Sequence, residues 1–510
     1  MKENKLLRTA GFIAMATLLA KACGLVRDSM LAGYFSAGTE TDAFMMATKL
    51  PTMLFDIVIG GVISASFIPI FNSVRENDGR GEAEKFASRF IMMIVSAAAL
   101  ISVLGILFSD QLVQLIAPGF SGDKHILTAK LTAIMFPMII FTGLAFSFVG
   151  LLQSYGEFNI PAVISLVSNL VIIAYFPLLA DRFGIYGLAY TMLAAWSLQV
   201  LIQIPSLIKF RFRFRPDFRF RDKNIAAAVK LALPMLVSTW IQPLYSVINA
   251  RLASGISGAA TELELANRLY VVMTGVFSFV VTNLIFPKVA KANAEKNEEE
   301  AKALIVISIK SMFFILLPLT LGVIVLARPI TGIIYEHNKF DSESAARVAN
   351  ALRCYSVGMA GLAVNEVLSK YFFSMKNSKT PMRNSIISMA VNIVLAYILF
   401  YFFKTPGLAL AAAAGSICNA SINAFSLRDK QILAKSDIQN ILKMFICTAA
   451  MTAVIVPVYS MCRPEASDFA GNILACAVCG GTGVIVYFVL SFLLRVDILQ
   501  NFFKKKGSAE

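Results

Sequence analysis

PAVISLVSNLVIIAYFPLLA, residues 161–180, is a run of twenty residues without one side chain that is charged at neutral pH. Wound as an α-helix at about 1.5 Å per residue it measures about 30 Å, the thickness of a bilayer's hydrocarbon core. In hydrocarbon every backbone N–H and C=O has to be bonded within the segment, and a helix achieves that. Similar runs recur at 87–109, 303–327, 438–461 and 470–494, and about fourteen spans can be placed along the 510 residues. Composition agrees: 57% of the residues are hydrophobic and 15% charged, against about 45–50% and about 25% in soluble domains. The sequence therefore predicts an all-α polytopic membrane protein. Its first run, from about Gly11 to Phe35, lacks a small-residue cleavage site and is expected to be a retained helix.

The formal net charge of +15 would suggest nucleic acid on a soluble protein, but here topology accounts for it. Lys and Arg crowd the loops at 75–89, 209–223, 288–302, 376–383 and 428–443 and both termini. The intervening loops near 36–41, 110–126, 254–262 and 462–468 are poor in them. The positive-inside rule then puts both termini in the cytoplasm, consistent with an even number of spans in a cytoplasmic membrane. No nucleophile motif, phosphate-cradling glycine loop or metal-ligand spacing appears, so no enzyme is expected. His125 and His337 are separate loop residues. Cys476 and Cys479 lie in an apolar helix without a second pair and read as packing residues; of the other cysteines only Cys462 reads as loop-placed.

The run that opens at Pro161 has a counterpart. QSYGEFNIPAVISLVS at 153–168 is matched by FSMKNSKTPMRNSIIS at 373–388, aligning Pro161 with Pro381, Ser165 with Ser385 and Ser168 with Ser388. Gly187-Leu188-Ala189 matches Gly407-Leu408-Ala409 at the same offset, Phe120 matches Phe340, and Lys49-Leu50 matches Arg268-Leu269 one residue closer. Two halves of about six spans each, with the same orientation, imply a parallel repeat, the build of transporters that place substrate between halves and rock one against the other. The expected organisation is an N-terminal lobe at 1–208, a basic linker at 209–224, a C-terminal lobe at 225–430, and two further helices with a basic tail at 431–510. The linker, KFRFRFRPDFRFRDK at 209–223, alternates Phe with Arg; it reads either as an interfacial segment on anionic lipid or as a topology signal alone.

An ionisable side chain at mid-bilayer costs at least about 2.5–3.5 kcal/mol, so it faces a cavity or a partner. On the first helix Lys21, Gly24 and Asp28 share a face and Arg27 adjoins it. On the second, Asp42, Lys49 and Asp56 stand seven residues apart, two turns each time, as one polar seam through which Pro51 passes. The counterpart in the second half offers Glu264, Asn267 and Arg268, with Arg251 on the preceding span. Glu366 and Lys370, at i and i+4, read as a neutralising pair. Lys21, Arg27, Lys49 and Arg268 read as cations offered by both halves to one central cavity. Asn249, Asn384, Asn392, Asn419 and Asn423 are candidates for a coupling-ion site in the second lobe, or else pack helices together.

Gly24-Leu-Val-Arg27-Asp28, GTETDAFMMATKLP at 38–51 and SASFIPIF at 64–71 resemble the start of the MurJ (MviN) family of lipid II flippases, in the multidrug/oligosaccharidyl-lipid/polysaccharide exporter superfamily. ANRLYVVMTGVFSFVVTNLIFPKVAK at 266–291 resembles that family's eighth helix, and YSVGMAGL at 355–362 and SKTPMRNS at 378–385 its tenth and eleventh. The resemblance covers nearly the whole chain. It implies fourteen helices, two lobes in a V shape, alternating access, and a lipid-tail groove beside the last two helices. It places the family's essential first-helix arginine on Arg27 with its acid at Asp28, the TDAF acid on Asp42, and the eighth-helix arginine on Arg268. The chain departs from the pattern at Lys21, where the family has arginine, at Phe55, where an arginine commonly follows KLP, at Gly60, where it has glutamate, and at Asn267, where an aspartate precedes the arginine.

The expected function is export of an undecaprenyl-diphosphate-linked peptidoglycan precursor, with Arg27, Arg268, Lys21 and Lys49 as diphosphate ligands. Asp28, Asp42, Asp56 and Glu264 would serve as charge partners that help close the gate. Another polyprenyl-linked oligosaccharide, a cation-coupled drug exporter and a non-transporting cell-wall scaffold stand as alternatives. No cofactor is expected, the identity of any coupling ion is open, and a monomer suffices.

Overall fold

The computed structural model describes residues 2–56, 66–239, 241–375, 377–428, 432–462 and 468–500. Gly60 lies outside them. Nineteen helices and no strand occur among the described residues. Among the described residues eight helical segments are long and apolar enough to cross a bilayer, including 80–107, 122–154, 159–209, 298–335, 435–462 and 469–493, and some hold more than one span, consistent with fourteen. Large apolar side chains stand on the outside of these helices, among them Leu178, Tyr401, Ile485 and Phe492. Lipid, not water, is the solvent such a surface fits.

The chain divides into two compact units, Met1–Thr261 and Glu262–Glu510. In the first, α1 (Lys2–Phe35) packs along α8 (Asn159–Leu201). Between and beside them lie α2 (Thr39–Phe55), α3 (Ile68–Asn77), α4 (Arg80–Leu107), α5 (Ser109–Ile116), α6 (Gly122–Met135) and α7 (Met138–Ser154). Short α9 (Ile204–Lys209) leads to α10 (Lys223–Thr239), α11 (Ile241–Ala253) and the start of α12 (Ala259–Ala294). One core gathers Phe44, Leu131, Tyr175 and Phe176 from α2, α6 and α8. Another is built of rings, with Phe67 stacked on Phe71 and Phe86 at 5.6 and 5.8 Å.

In the second unit α13 (Glu298–Tyr335) is the central element, packed on α14 (Ser342–Ser356), α15 (Met359–Ser374), α18 (Lys435–Cys462) and α19 (Phe469–Leu493). Next to them α16 (Lys379–Phe403) and α17 (Thr405–Phe425) form a close pair. Cys447 and Cys479 are buried in the core shared by α13, α18 and α19, while Cys462, expected in a loop, is the last residue of α18.

The sequence repeat is a repeat of structure. α8 begins at Asn159 and α16 at Lys379, so Pro161 and Pro381 both fall at the third position, inside the first turn, where proline's missing N–H costs nothing. Within the 43 residues of α8 the backbone breaks at Gly184 (φ 54°, ψ −150°), and 220 residues on Lys404 adopts φ 54°, ψ −132° between α16 and α17. Both breaks reverse the chain. Tyr175 Oη donates to Gly184 O at 2.5 Å although nine residues of straight helix would separate them by about 13 Å. A Cβ on Gly187 would lie 2.4 Å from Tyr175 Oη, and one on Gly407 2.2 Å from Leu399 O. The matched glycines are therefore the close-approach points of two equivalent helical hairpins.

Candidate functional site

Arg27 lies three-quarters of the way along α1 and is held from two sides. Its Nε and Nη2 donate to Asp28 Oδ1 at 3.0 and 2.7 Å, and its Nη1 donates to Asn169 Oδ1 on α8 at 3.0 Å. Asn169 Nδ2 in turn donates to the carbonyl of Ala20 at 3.1 Å, which fixes its orientation. Gly24 lies beside this contact: a Cβ there would stand 3.7 Å from Asn169 Nδ2, an ordinary packing distance. The Arg27 side chain stays 21% exposed while Asp28 is nearly covered. Arg27 is thus a pre-oriented guanidinium with one edge committed to a carboxylate and another to an amide. Lys21 is half-buried on the same helix.

The α2 seam is graded in depth. Asp42 is fully buried, Lys49 half-buried, Asp56 exposed. Pro51 is buried within α2, and Phe55 is buried with its ring 5.8 Å from that of Phe146. The residue at 55 is therefore part of an apolar core, and its side chain supplies no charge to a cavity.

Asp42 makes the densest polar contact of the first unit. Oδ1 accepts from Thr261 N at 2.9 Å and Thr261 Oγ1 at 2.7 Å; Oδ2 accepts from Gly258 N at 2.7 Å and Lys124 Nζ at 2.6 Å. The carboxylate receives the N–H of Gly258, just before α12, and that of Thr261 in its first turn, the end of a helix where negative charge is favoured. Its cation is Lys124 of α6, not one of the α1 or α12 cations that the sequence suggested. Lys124 also lies 4.1 Å from the centre of the Phe120 ring. Nothing in the sequence around Lys124 marks it, because it falls in a segment read as an external loop.

In the second unit Arg268 Nε lies 3.1 Å from Glu264 Oε1, one turn back on α12, and the arginine side chain is 51% exposed. Glu366 and Lys370 form the expected i, i+4 pair at 3.3 Å. Arg251 donates to the Leu115 carbonyl at 3.0 Å in the first unit. Asn384 donates to Asn423 at 2.8 Å, Asn423 to Asn365 at 2.7 Å, and Asn392 to the Ala411 carbonyl at 3.1 Å, joining α15, α16 and α17. Asn249 lies on α11, in the first unit. Sequence reasoning missed a further cluster. Lys310, buried on α13, bridges Asp437 at 2.9 Å and Asp497 at 3.0 Å, and Asn440 Nδ2 donates to Asp497 at 2.6 Å. The signal was there, a lone lysine in the apolar run 303–327 with acids flanking the last two spans.

A family profile described as "Lipid II flippase MurJ" matches residues 31–472, most of the chain. The chain belongs to the MurJ family of lipid II flippases. It is 27% identical to the lipid II flippase MurJ of Burkholderia cenocepacia over 84% of each chain. It is 28% identical to a probable lipid II flippase MurJ of Rhizobium meliloti, over 97% of this chain and 95% of the relative. A solved MurJ in an inward closed conformation superposes with a TM-score of 0.82 at 24% identity, over 96% of this chain and 99% of that one. An inward-facing multidrug transporter of the MATE family follows the same fold with a TM-score of 0.68 at 15% identity, over 82% and 97% of the two chains. The family resemblance read from Arg27-Asp28 and TDAF therefore holds, and the protein is a membrane transporter by family.

Proposed function

We propose that this chain carries lipid II from the inner to the outer leaflet of the bacterial cytoplasmic membrane by alternating access, with both termini in the cytoplasm. The observation that carries this reading is the family match over 31–472, which contains Asp42, Lys49 and Arg268; Arg27 and Asp28 lie just before it and join the site through their place on α1. Arg27 and Arg268 are the diphosphate ligands, and Lys21 and Lys49 add positive charge. Each arginine already has a carboxylate within hydrogen-bond reach, Asp28 for one and Glu264 for the other. An incoming diphosphate competes with that carboxylate for the guanidinium fork, whose planar geometry suits two phosphate oxygens. Asp42 acts as a latch, holding α2 to the first turn of α12; Asp56, exposed at the far end of α2, is a charge partner on the opposite side.

An interior-negative potential favours outward movement of anionic charge by about 2.3 kcal/mol per charge per 100 mV, so two charges supply about 4–5 kcal/mol without ATP. The test is complementation of a strain depleted of its lipid II flippase. The parent chain restores growth; Arg27→Ala and Arg268→Ala, present in the membrane at parental levels, do not. Growth with either variant removes the site assignment, and undiminished flipping in fully depolarised cells removes the energetic one. The buried Phe55 favours one second reading, a relative that exports another polyprenyl-diphosphate-linked saccharide through a less cationic lining. Failure of the parent chain in that strain, with rescue of a capsule-flippase mutant, selects it.

A further inference from the structure

The linker does more than join spans. Residues 209–223 hold seven basic and two acidic side chains, and the structure sorts them by face. Both acids turn inward onto Arg89 of α4: Asp217 Oδ2 accepts from Nε at 2.7 Å and Asp222 Oδ2 from Nη1 at 2.6 Å. The backbone follows them in. Arg215 N donates to Ser88 Oγ at 3.1 Å, and Arg80 Nη2 donates to the carbonyls of Phe210 and Arg211 at 2.5 and 3.2 Å. Phe210 stacks on Tyr155 with ring centres 5.3 Å apart, and Phe212 packs on the adjoining apolar core.

What remains outside is one-sided. Arg213, Arg215, Arg219 and Arg221 are exposed, and Arg219, although 3.1 Å from Asp217, keeps 81% of its side chain accessible. Between them Phe214, Phe218 and Phe220 are 45%, 63% and 37% exposed. The segment cannot swing far from the bilayer. It starts where the apolar run 159–209 ends and stops where α10 begins at Lys223, and its middle is tied to the first turns of α4.

We propose that residues 211–221 form a binding surface for anionic phospholipid of the adjacent leaflet, with arginines on headgroup phosphates and the three phenylalanine rings at the acyl boundary. A topology signal needs only the charge; it needs neither an ordered backbone nor neutralisation of the acids by a residue of α4. An acidic soluble protein would use the arginines but leaves three exposed rings beside a membrane unexplained. Basic side chains at an anionic surface and apolar rings beneath it are the two elements of interfacial binding. The inference stands apart from the transport reading and holds whatever the substrate is.

The experiment is hydrogen exchange of the 211–221 peptide in the full chain, reconstituted in nanodiscs of phosphatidylcholine alone or with phosphatidylglycerol. Exchange at least tenfold slower with phosphatidylglycerol, and lost in high salt, is the expected result. Arg213→Gln with Arg221→Gln weakens attachment to the anionic surface by roughly 25-fold, at about fivefold per basic residue, enough to remove most of a tenfold slowing. Phe214→Ser with Phe218→Ser reduces the slowing while its salt dependence persists. Equal exchange of the parent chain in the two lipids overturns the proposal. So does slowing that appears only when polyglutamate, a probe for an acidic soluble partner, is added to the phosphatidylcholine discs.

Discussion

Replacing Asp42 by alanine removes the acceptor for four donors at once: two backbone N–H groups of 258–261, the Thr261 hydroxyl and the Lys124 ammonium. The carboxylate is fully buried and the Lys124 side chain 14% exposed, so water does not replace it freely. Orphaning one member of a buried ion pair costs about 3–5 kcal/mol, and hydrogen bonds to a charged acceptor about 1.5–3 kcal/mol each, with strong overlap between the two. Taking about 3 kcal/mol for the local effect, the opening equilibrium of the turn before α12 rises by about 10². Hydrogen exchange of a peptide covering 254–262 reads this directly in the purified protein. Asp42→Asn keeps one acceptor oxygen but turns an NH₂ toward donors on the other side, so it restores little. Lys124→Met leaves three of the four contacts and accelerates exchange less. In the double variant Asp42→Asn/Lys124→Met the two effects fall short of their sum, because each removes part of the same contact. Exchange within threefold of the parent in Asp42→Ala, with the protein folded, would refute the latch.

Three further expectations follow from contacts elsewhere. Lys310→Met strands Asp437 and Asp497 beside each other and should cost about 3 kcal/mol, seen as a lowered unfolding temperature in detergent; adding Asp437→Asn recovers part of it. Gly105→Ala puts a Cβ 2.1 Å from the Phe136 ring in a buried contact of α4, and should destabilise by about 1–3 kcal/mol in the same assay. The Asp217 carboxyl is held well below its ordinary 3.8 by hydrogen bonds from Arg219 and then Arg89. A depressed carboxylate contributes stability that is complete above its unfolded value and lost only as pH falls through the folded one. Linker exchange, corrected for intrinsic rate, should therefore be unchanged from pH 8 to pH 5, and Arg89→Gln should raise it across that whole range.

Much of the fold was legible because bilayer chemistry leaves few choices. Twenty apolar residues have to be helical, and Pro161 with Pro381 or Gly187 with Gly407 announce equivalent turns since each obeys a local rule. The Glu366–Lys370 pair was legible for the same reason: helical spacing alone brings the two together. The Asp42 contact was not. Its cation lies 82 residues away on α6, and two of its donors are backbone N–H groups that leave no mark in a sequence. The seven-residue spacing of Asp42, Lys49 and Asp56 carried no information on depth, and depth separates a fully buried latch from an exposed side chain. Asn169 was missed because an asparagine inside an apolar run resembles any helix-packing amide until α1 and α8 are seen side by side.

The pairing of cations with resident acids bears on how a flippase lets go. A bare arginine in a low-dielectric cavity would bind a diphosphate tightly and hold it, since separating them leaves both charges unpaired. Arg27 has Asp28 on its Nε and Nη2 and Asn169 on its Nη1. Arg268 has Glu264 within reach of its Nε. If Arg27 and Arg268 bind the diphosphate as proposed, each guanidinium returns to a partner already in place when the ligand leaves, so the cost of release is the difference between two ion pairs and not the whole of one. The same arrangement would sharpen selectivity, because the acid discourages any anion that cannot grip the guanidinium better than a carboxylate does. A diphosphate, with more oxygens and more charge than one carboxylate, meets that condition; a single phosphate meets it less well. Lys21 fits this logic. In the proposed site an ammonium would add attraction without a planar fork, strengthening approach of the anion while leaving the directional contact to Arg27.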